Sequence, residues 1–182
     1  MFTHLPLVVR AVLVLIVVTA AIYDLRYRKI PNWLVLAGLI LGFGLNTFLF
    51  GATGLLMSAK GMGLALAIYF PLYLLRAMGA GDAKLMAAVG SMVGWGNWLG
   101  VFVATAMIGG ALGLIVLLFA GRIRKTFWNM GWILNEILHF RAPYRSSQEL
   151  DVRSAEGMRM PHGVAIALGS IAFLVLQAVW VR

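Results

Sequence analysis

The sequence predicts an all-α, polytopic integral membrane protein with six transmembrane helices and one larger cytoplasmic loop. Of its 182 residues, 62% are hydrophobic and only 12% are charged, and the mean hydropathy is +0.94. Soluble domains are roughly 45–50% apolar and about 25% charged, so polar groups could not cover the outside of this chain. The charges also fall in a few clusters. The apolar stretches between them reach the roughly 20 residues that a membrane helix needs.

The first half of the chain contains three predicted spans. Residues 5–23 form the first, with Arg10 as its one charge. We expect this helix to be retained, because no small-residue cleavage site of a signal peptide follows it. Residues 31–59 carry no charge. A second span at about residues 33–50 and a third at about residues 54–75 fit this part of the chain.

The second half of the chain contains three more predicted spans. The uncharged stretch 85–121 has 37 residues, which is too long for one span. The turn-prone sequence Gly-Trp-Gly-Asn at residues 94–97 predicts a break between a short fourth span and a fifth. These two spans cover about residues 83–93 and 98–120, and the sixth covers residues 161–181.

A basic insert, residues 122–160, separates spans five and six. Apolar residues recur at helical spacing in its first half, which predicts an amphipathic helix. Such a helix either lies in the membrane interface or packs on the bundle, and both alternatives stay open. Residues 141–160 are polar and lack a periodic apolar face, which indicates an irregular loop. We interpret residues 1–182 as a single membrane-embedded domain that carries this insert on its cytoplasmic side.

The distribution of positive charge predicts the orientation. Of the 15 basic residues, 12 fall in the loops at about residues 24–30, 76–84 and 122–160. Cytoplasmic loops collect Lys and Arg, so this side is predicted to face the cytoplasm, with both termini outside. A net charge of +9 would suggest a nucleic-acid partner for a soluble protein. Here we expect no nucleic-acid partner, because basic loops at a membrane surface bind the anionic lipid headgroups beside them.

Two of the six acidic residues stand apart from the insert. Asp24 ends span one and Asp82 precedes span four, so the topology brings both carboxylates to the same cytoplasmic level, although 58 positions separate them. Carboxylates at a membrane edge are costly and need a reason. One reason is ion pairing, of Asp24 with Arg26 or Arg28 and of Asp82 with Lys84.

A shared site is the other reason for two carboxylates at one depth. Two neighbouring carboxyl groups cannot both ionise easily, so they share one proton, as in aspartic proteases. One of them then activates a water molecule as general base while the other polarises a scissile carbonyl, and neither role is assigned to one residue. The residues 79–81, Gly-Ala-Gly, allow close backbone approach immediately before Asp82.

Three segments of the sequence resemble the type IV prepilin peptidases, a family of membrane aspartyl proteases. The segment GAGDAK, residues 79–84, resembles their GxGD motif, and Asp24 followed by residues 30–32, Ile-Pro-Asn, resembles their first-aspartate motif. Residues 160–169, MPHGVAIALG, resemble their last helix, which opens with a proline and a glycine. Within the family the chain is similar to the short TadV/CpaA-type enzymes that process Flp-type pilins.

The resemblance implies an aspartic endopeptidase of the bacterial inner membrane that removes the leader peptide of Flp-type prepilins at the cytoplasmic face. It implies Asp24 and Asp82 as the catalytic pair. Gly79, Gly81 and Lys84 are then residues that shape the site or bind substrate. The expected partners are the prepilin and the lipid bilayer.

Two departures from the family pattern affect these expectations. The two-domain members carry an additional cytoplasmic segment with cysteine motifs, associated with N-methylation. Only residues 25–30 separate the first two spans here, and the chain has no cysteine, so we do not expect N-methyltransferase activity. His162 stands where the family often has an aromatic residue. His4 and His139 lack ligand spacing to it, so we expect no metal and no cofactor.

Other functions and roles remain as alternatives. Membrane acids also mark ion pathways in transporters, although those usually lie near the midplane. A non-catalytic subunit of a pilus assembly machine is a third possibility. Three residues outside the predicted site have structural interpretations. Trp95 and Trp98 suit an outer interfacial belt. Asn46 in span two is a candidate for a hydrogen bond to a neighbouring helix.

Overall fold

The computed structural model describes residues 4–75, 78–119 and 162–180, and within them all regular structure is helical. Each helix is long and apolar enough to cross a membrane. The predicted all-α class is therefore confirmed. The predicted amphipathic helix and loop of the insert, residues 122–160, lie outside the described residues. The four helices are α1 (Leu7–Tyr27), α2 (Asn32–Leu74), α3 (Ala80–Phe119) and α4 (His162–Trp180).

Helix α2 folds back on itself at Gly51, whose φ of 60° and ψ of −141° are not helical. Glycine adopts such a conformation without the steric cost that a Cβ would bring. The side-chain amide of Asn46 donates to Ser58 Oγ at 2.9 Å, and the Ser58 hydroxyl donates to the carbonyl of Gly42 at 3.3 Å. In a straight helix, residues 12 apart would be separated by about 18 Å. The two arms of α2, residues 32–50 and 52–74, therefore run side by side.

Helix α3 folds back in the same way at Gly94, where φ is 73° and ψ is 166°. The indole N–H of Trp98 donates to the carbonyl of Met86 at 3.2 Å across this turn. The break occurs at the first residue of the turn-prone segment 94–97. It divides α3 into a first arm, residues 80–93, and a second arm, residues 95–119.

The first arm of α3 lies at the centre of the bundle, and residues 85–94 are all buried. Small residues allow the second arm of α2 to approach it closely, because a Cβ at Gly61 or Gly90 would overlap the backbone carbonyl of the other glycine. Asn46 donates to the carbonyls of Ser91 and Met92 at 2.9 and 3.1 Å, which ties the first arm of α2 to the same segment.

Trp98 lies inside the bundle and not in an outer belt. It is fully buried, and its ring stacks on Phe102 with a centroid distance of 5.4 Å, while Trp95 is exposed. The expectation for Trp98 is therefore wrong. An indole ring can serve a core as well as an interface, provided that its N–H finds a partner, and the Met86 carbonyl supplies one here.

Helices α1 and α4 complete the bundle. One stripe of α1 is buried, and it ends at Asp24. Helix α4 packs against both α1 and α3, with Gly169 seated so close to Thr105 that a Cβ there would overlap it. We call the end of the bundle at which α1 ends and α2, α3 and α4 begin the aspartate end.

Candidate active site

Asp24 lies in the last turn of α1 and is only 7% exposed. Helix α1 ends because Arg28 adopts a left-handed conformation, with φ of 53°, and its N–H donates to the Asp24 carbonyl at 2.9 Å. The C-terminal end of a helix is unfavourable for a carboxylate, since the helix dipole is negative there. The Asp24 side chain therefore needs a compensating partner.

That partner is the backbone N–H of Gly163, which donates to Asp24 Oδ2 at 2.8 Å. Gly163 is the second residue of α4, and the first N–H groups of a helix have no partner within the helix. The positive end of the α4 dipole also lies beside the Asp24 carboxyl group. Helix α4 thus supplies a hydrogen-bond donor and the positive end of a helix dipole to Asp24. The C-terminal end of α1 offers neither.

Asp82 lies in the first turn of α3, where the structure extends the helix three residues before the predicted start of span four. The Gly79 carbonyl accepts the N–H of Ala83 at 3.4 Å, which makes Gly79 the N-cap residue. The Asp82 carboxyl group bonds in return to the N–H of Gly79, in the manner of a capping box. A Cβ at Gly79 would lie 3.1 Å from Asp82 Oδ2, so glycine leaves room for the side chain that bends back.

Two contacts attach the start of α3 to the connection between α1 and α2 and to the first residue of α2. A Cβ at Gly81 would lie 3.3 Å from the Cβ of Ile30, so the two residues are packed tightly. The Lys84 ammonium group donates to Asn32 Oδ1 at 3.1 Å. The connection begins only a few residues after Asp24. Because α3 is attached to it, the Asp82 carboxyl group lies near enough to that of Asp24 for the two to interact electrostatically.

Two other titratable side chains lie near Asp82. His162, the first residue of α4, lies within electrostatic range of Asp82, and so does Tyr69 of the second arm of α2. Tyr69 is buried and packs edge-on against Trp98 with a centroid distance of 6.1 Å. In residues 4–75, 78–119 and 162–180 there is no group of three or more His, Cys, Asp or Glu side chains placed to hold a metal ion.

The structure brings all five predicted site residues to the aspartate end: Asp24, Gly79, Gly81, Asp82 and Lys84. Lys84 bonds to Asn32, and the predicted Asp82–Lys84 ion pair is not present among the residues that the structure describes. Sequence reasoning missed Gly163 as a site residue. A glycine in the first turn of an apolar helix is a usable signal, because alanine would favour the helix more and glycine indicates a close approach.

The site thus combines two carboxylates from different helices, each bonded to a backbone N–H at the start of a helix, and one of them follows a glycine-x-glycine segment. Residues 11–114, more than half of the chain and including both aspartates, match the sequence model of the type IV leader peptidase family. The chain belongs to the type IV leader peptidase family. Helix α4, which contacts Asp24, lies outside the matched residues.

Two curated relatives match much of this leader peptidase family chain. The prepilin leader peptidase/N-methyltransferase of Legionella pneumophila is 31% identical over 117 residues, which are 61% of this chain and 41% of that protein. The protein of the same name from Myxococcus xanthus (strain DK1622) is 30% identical over 122 residues, 64% of this chain and 36% of that protein. The chain therefore spans less than half the length of either relative. No solved structure matches this chain.

Proposed function

We propose that this protein is a membrane aspartyl endopeptidase that removes the leader peptide of Flp-type prepilins at the cytoplasmic face of the bacterial inner membrane. One observation carries the proposal. Asp24 and Asp82, far apart in the sequence, lie at the same end of the helical bundle, within electrostatic range of each other. Membership of the leader peptidase family and the prepilin peptidase names of both relatives support the same reaction.

In the proposed reaction the two carboxyl groups share one proton. The ionised carboxylate takes a proton from a water molecule, whose oxygen attacks the scissile carbonyl, while the protonated carboxyl group donates a hydrogen bond to the carbonyl oxygen. The tetrahedral intermediate then collapses as a proton passes to the leaving nitrogen. The roles belong to the pair, which titrates as a unit, and the reaction requires neither a metal nor a cofactor.

The proposed topology has six membrane crossings with both termini outside. The observation that α2 and α3 each fold back, at Gly51 and Gly94, supports it, since each then crosses twice. The aspartate end is also where most of the basic loops lie in sequence, which favours the cytoplasmic side. A prepilin has a basic leader followed by an apolar helix, so its cleavage point lies at this depth of the membrane.

We propose peptidase activity without methyl transfer. Both relatives carry N-methyltransferase in their names. In this chain α1 and α2 are joined by residues 28–31 alone, and the sequence contains no cysteine. These features leave no place, between those two helices, for the cysteine-bearing segment that the resemblance associates with methylation.

The test is cleavage by purified protein in lipid nanodiscs, with a Flp-type prepilin as substrate and S-adenosylmethionine present. We expect loss of the leader, seen as a gel shift, and a new N-terminus whose mass corresponds to an unmodified residue. A mature pilin heavier by one methyl group would refute the peptidase-only assignment. An uncut prepilin would contradict the peptidase assignment itself and favour the transporter or assembly-subunit alternatives.

A further inference from the structure

We infer that Gly163 is a positioning residue for Asp24, and that the first turn of α4 thereby determines how the two carboxyl groups face each other. This inference rests on the proposed peptidase function. The Gly163 N–H donates to Asp24 Oδ2 at 2.8 Å, and Asp24 is buried. A hydrogen bond from a fixed backbone N–H prefers a narrow range of distances and angles, so it selects one orientation of the Asp24 side chain.

The position requires glycine because of Asp24 itself. A Cβ at residue 163 would lie 2.9 Å from the Cβ and from Oδ2 of Asp24, and 3.2 Å from its Cγ. Rotation of the aspartate side chain does not relieve this overlap, since its Cβ is fixed by the backbone of α1. An alanine at 163 would therefore push the start of α4 away from α1 and weaken the hydrogen bond.

The displacement would also reach Asp82. His162 precedes Gly163 directly and lies within electrostatic range of Asp82, so the first turn of α4 contacts Asp24 and lies near Asp82. Catalytic groups tolerate little error in position, and a misplacement of about 1 Å can cost about 100-fold in rate. Gly163 thus acts on the reaction through the Asp24 carboxyl group, which its N–H positions.

The kinetic experiment compares Gly163→Ala with wild type on a Flp-type prepilin in nanodiscs. We expect kcat to fall by about 100-fold while KM stays within about threefold, because the reacting groups move and the substrate-binding surface does not. Gly63→Ala is the matched control, since no atom lies within 4 Å of a Cβ there, and it should cut like wild type. An unchanged kcat for Gly163→Ala would overturn the inference, and so would an equal loss in the control.

A second experiment separates this inference from the proposed function, because it needs no substrate. Thermal unfolding is measured for Gly163→Ala in wild type and in an Asp24→Gly background, which lacks all three atoms that the new Cβ would meet. We expect the midpoint to drop in wild type and to change little in the Asp24→Gly protein. Equal drops in both backgrounds would show that Gly163 is not required by Asp24, and would refute the inference.

The outcomes of the two experiments are distinguishable. If wild type does not cut prepilin but the unfolding midpoints are coupled, the peptidase proposal fails and the Gly163–Asp24 contact stands. If Gly163→Ala does not accumulate in the membrane, recovery of its level by Asp24→Gly supports the contact, and failure to recover counts against it.

Discussion

Lys84 of α3 donates a hydrogen bond to the side chain of Asn32, the first residue of α2, and this contact joins the N-terminal ends of two helices close to Asp82. Lys84 is the fifth residue of α3, and a cation so near a helix N-terminus is unfavourable, since the helix dipole is positive there. Asn32 offers a neutral oxygen that partly offsets this cost. The bond leaves Asp82 to interact with Gly79, Asp24 and His162.

Loss of the Lys84–Asn32 bond should have a modest effect, because Lys84 is exposed to solvent. Hydrogen bonds to charged groups contribute about 1.5–3 kcal/mol at most, and less at exposed sites. We expect Asn32→Ala and Lys84→Met each to slow prepilin cleavage by less than about tenfold, with normal levels in the membrane. A loss as complete as that of an aspartate variant would mean that Lys84 takes part in the reaction directly.

The Asn46 side chain should contribute measurably to stability without affecting catalysis. Its amide bonds to Ser58 Oγ and to the carbonyls of Ser91 and Met92, and all these atoms lie inside the bundle. Interhelical hydrogen bonds in membranes contribute about 0.6 kcal/mol each, with a maximum near 1.7. We expect Asn46→Ala to destabilise the protein by about 1–2 kcal/mol in thermal unfolding. Thr47→Ala, at the exposed neighbouring position, is the control and should have no effect.

The Gly61–Gly90 contact should tolerate no side chain. A Cβ on either glycine would overlap the opposing carbonyl, so α2 and α3 would have to separate. Overpacking costs about 1–3 kcal/mol, occasionally more. We expect Gly90→Ala to lower the level of folded protein in the membrane and its unfolding midpoint, and Gly110→Ala, which meets no atom within 4 Å, to leave both unchanged. Equal behaviour of the two variants would contradict the packing described for the central arm.

Much of the fold follows from the spacing of charges and turn residues. Charge-free stretches predict the apolar helices, and the Gly-Trp-Gly-Asn segment predicts the break that the structure has at Gly94. Counting spans then places Asp24 and Asp82 at the same end, because the number of crossings between them is even in the predicted topology.

Contacts between distant parts of the chain could not be predicted in this way. The Gly163–Asp24 bond joins residues 139 apart, and it depends on how α4 packs between α1 and α3. A tryptophan is compatible with a membrane interface and with a core, so the sequence does not determine the location of Trp98. Its burial depends on the turn at Gly94. The helix ends also differ from the predicted span ends. The sequence predicts that Asp24 ends span one and that Asp82 precedes span four, but both lie inside helices, because the last turn of α1 and the first turn of α3 carry polar residues.

A shared proton predicts a bell-shaped dependence of the cleavage rate on pH. At low pH both carboxyl groups are protonated and no base remains, and at high pH both are ionised and no acid remains. We expect kcat/KM for prepilin cleavage to rise and then fall with pH, with two apparent ionisations that belong to the pair. A rate independent of pH across the stability range of the protein would contradict a carboxyl pair as the reacting groups.

The central claim is that Asp24 and Asp82 together cut the prepilin leader. The direct test measures single-turnover cleavage by purified wild type, Asp24→Asn, Asp82→Asn and the control Asp151→Asn, which alters an aspartate of the insert. Asparagine keeps the size of the side chain and cannot act as base, so we predict losses of about 100- to 10,000-fold for each site variant and none for the control. Normal cleavage by either site variant, with the protein folded in the membrane, would contradict the account.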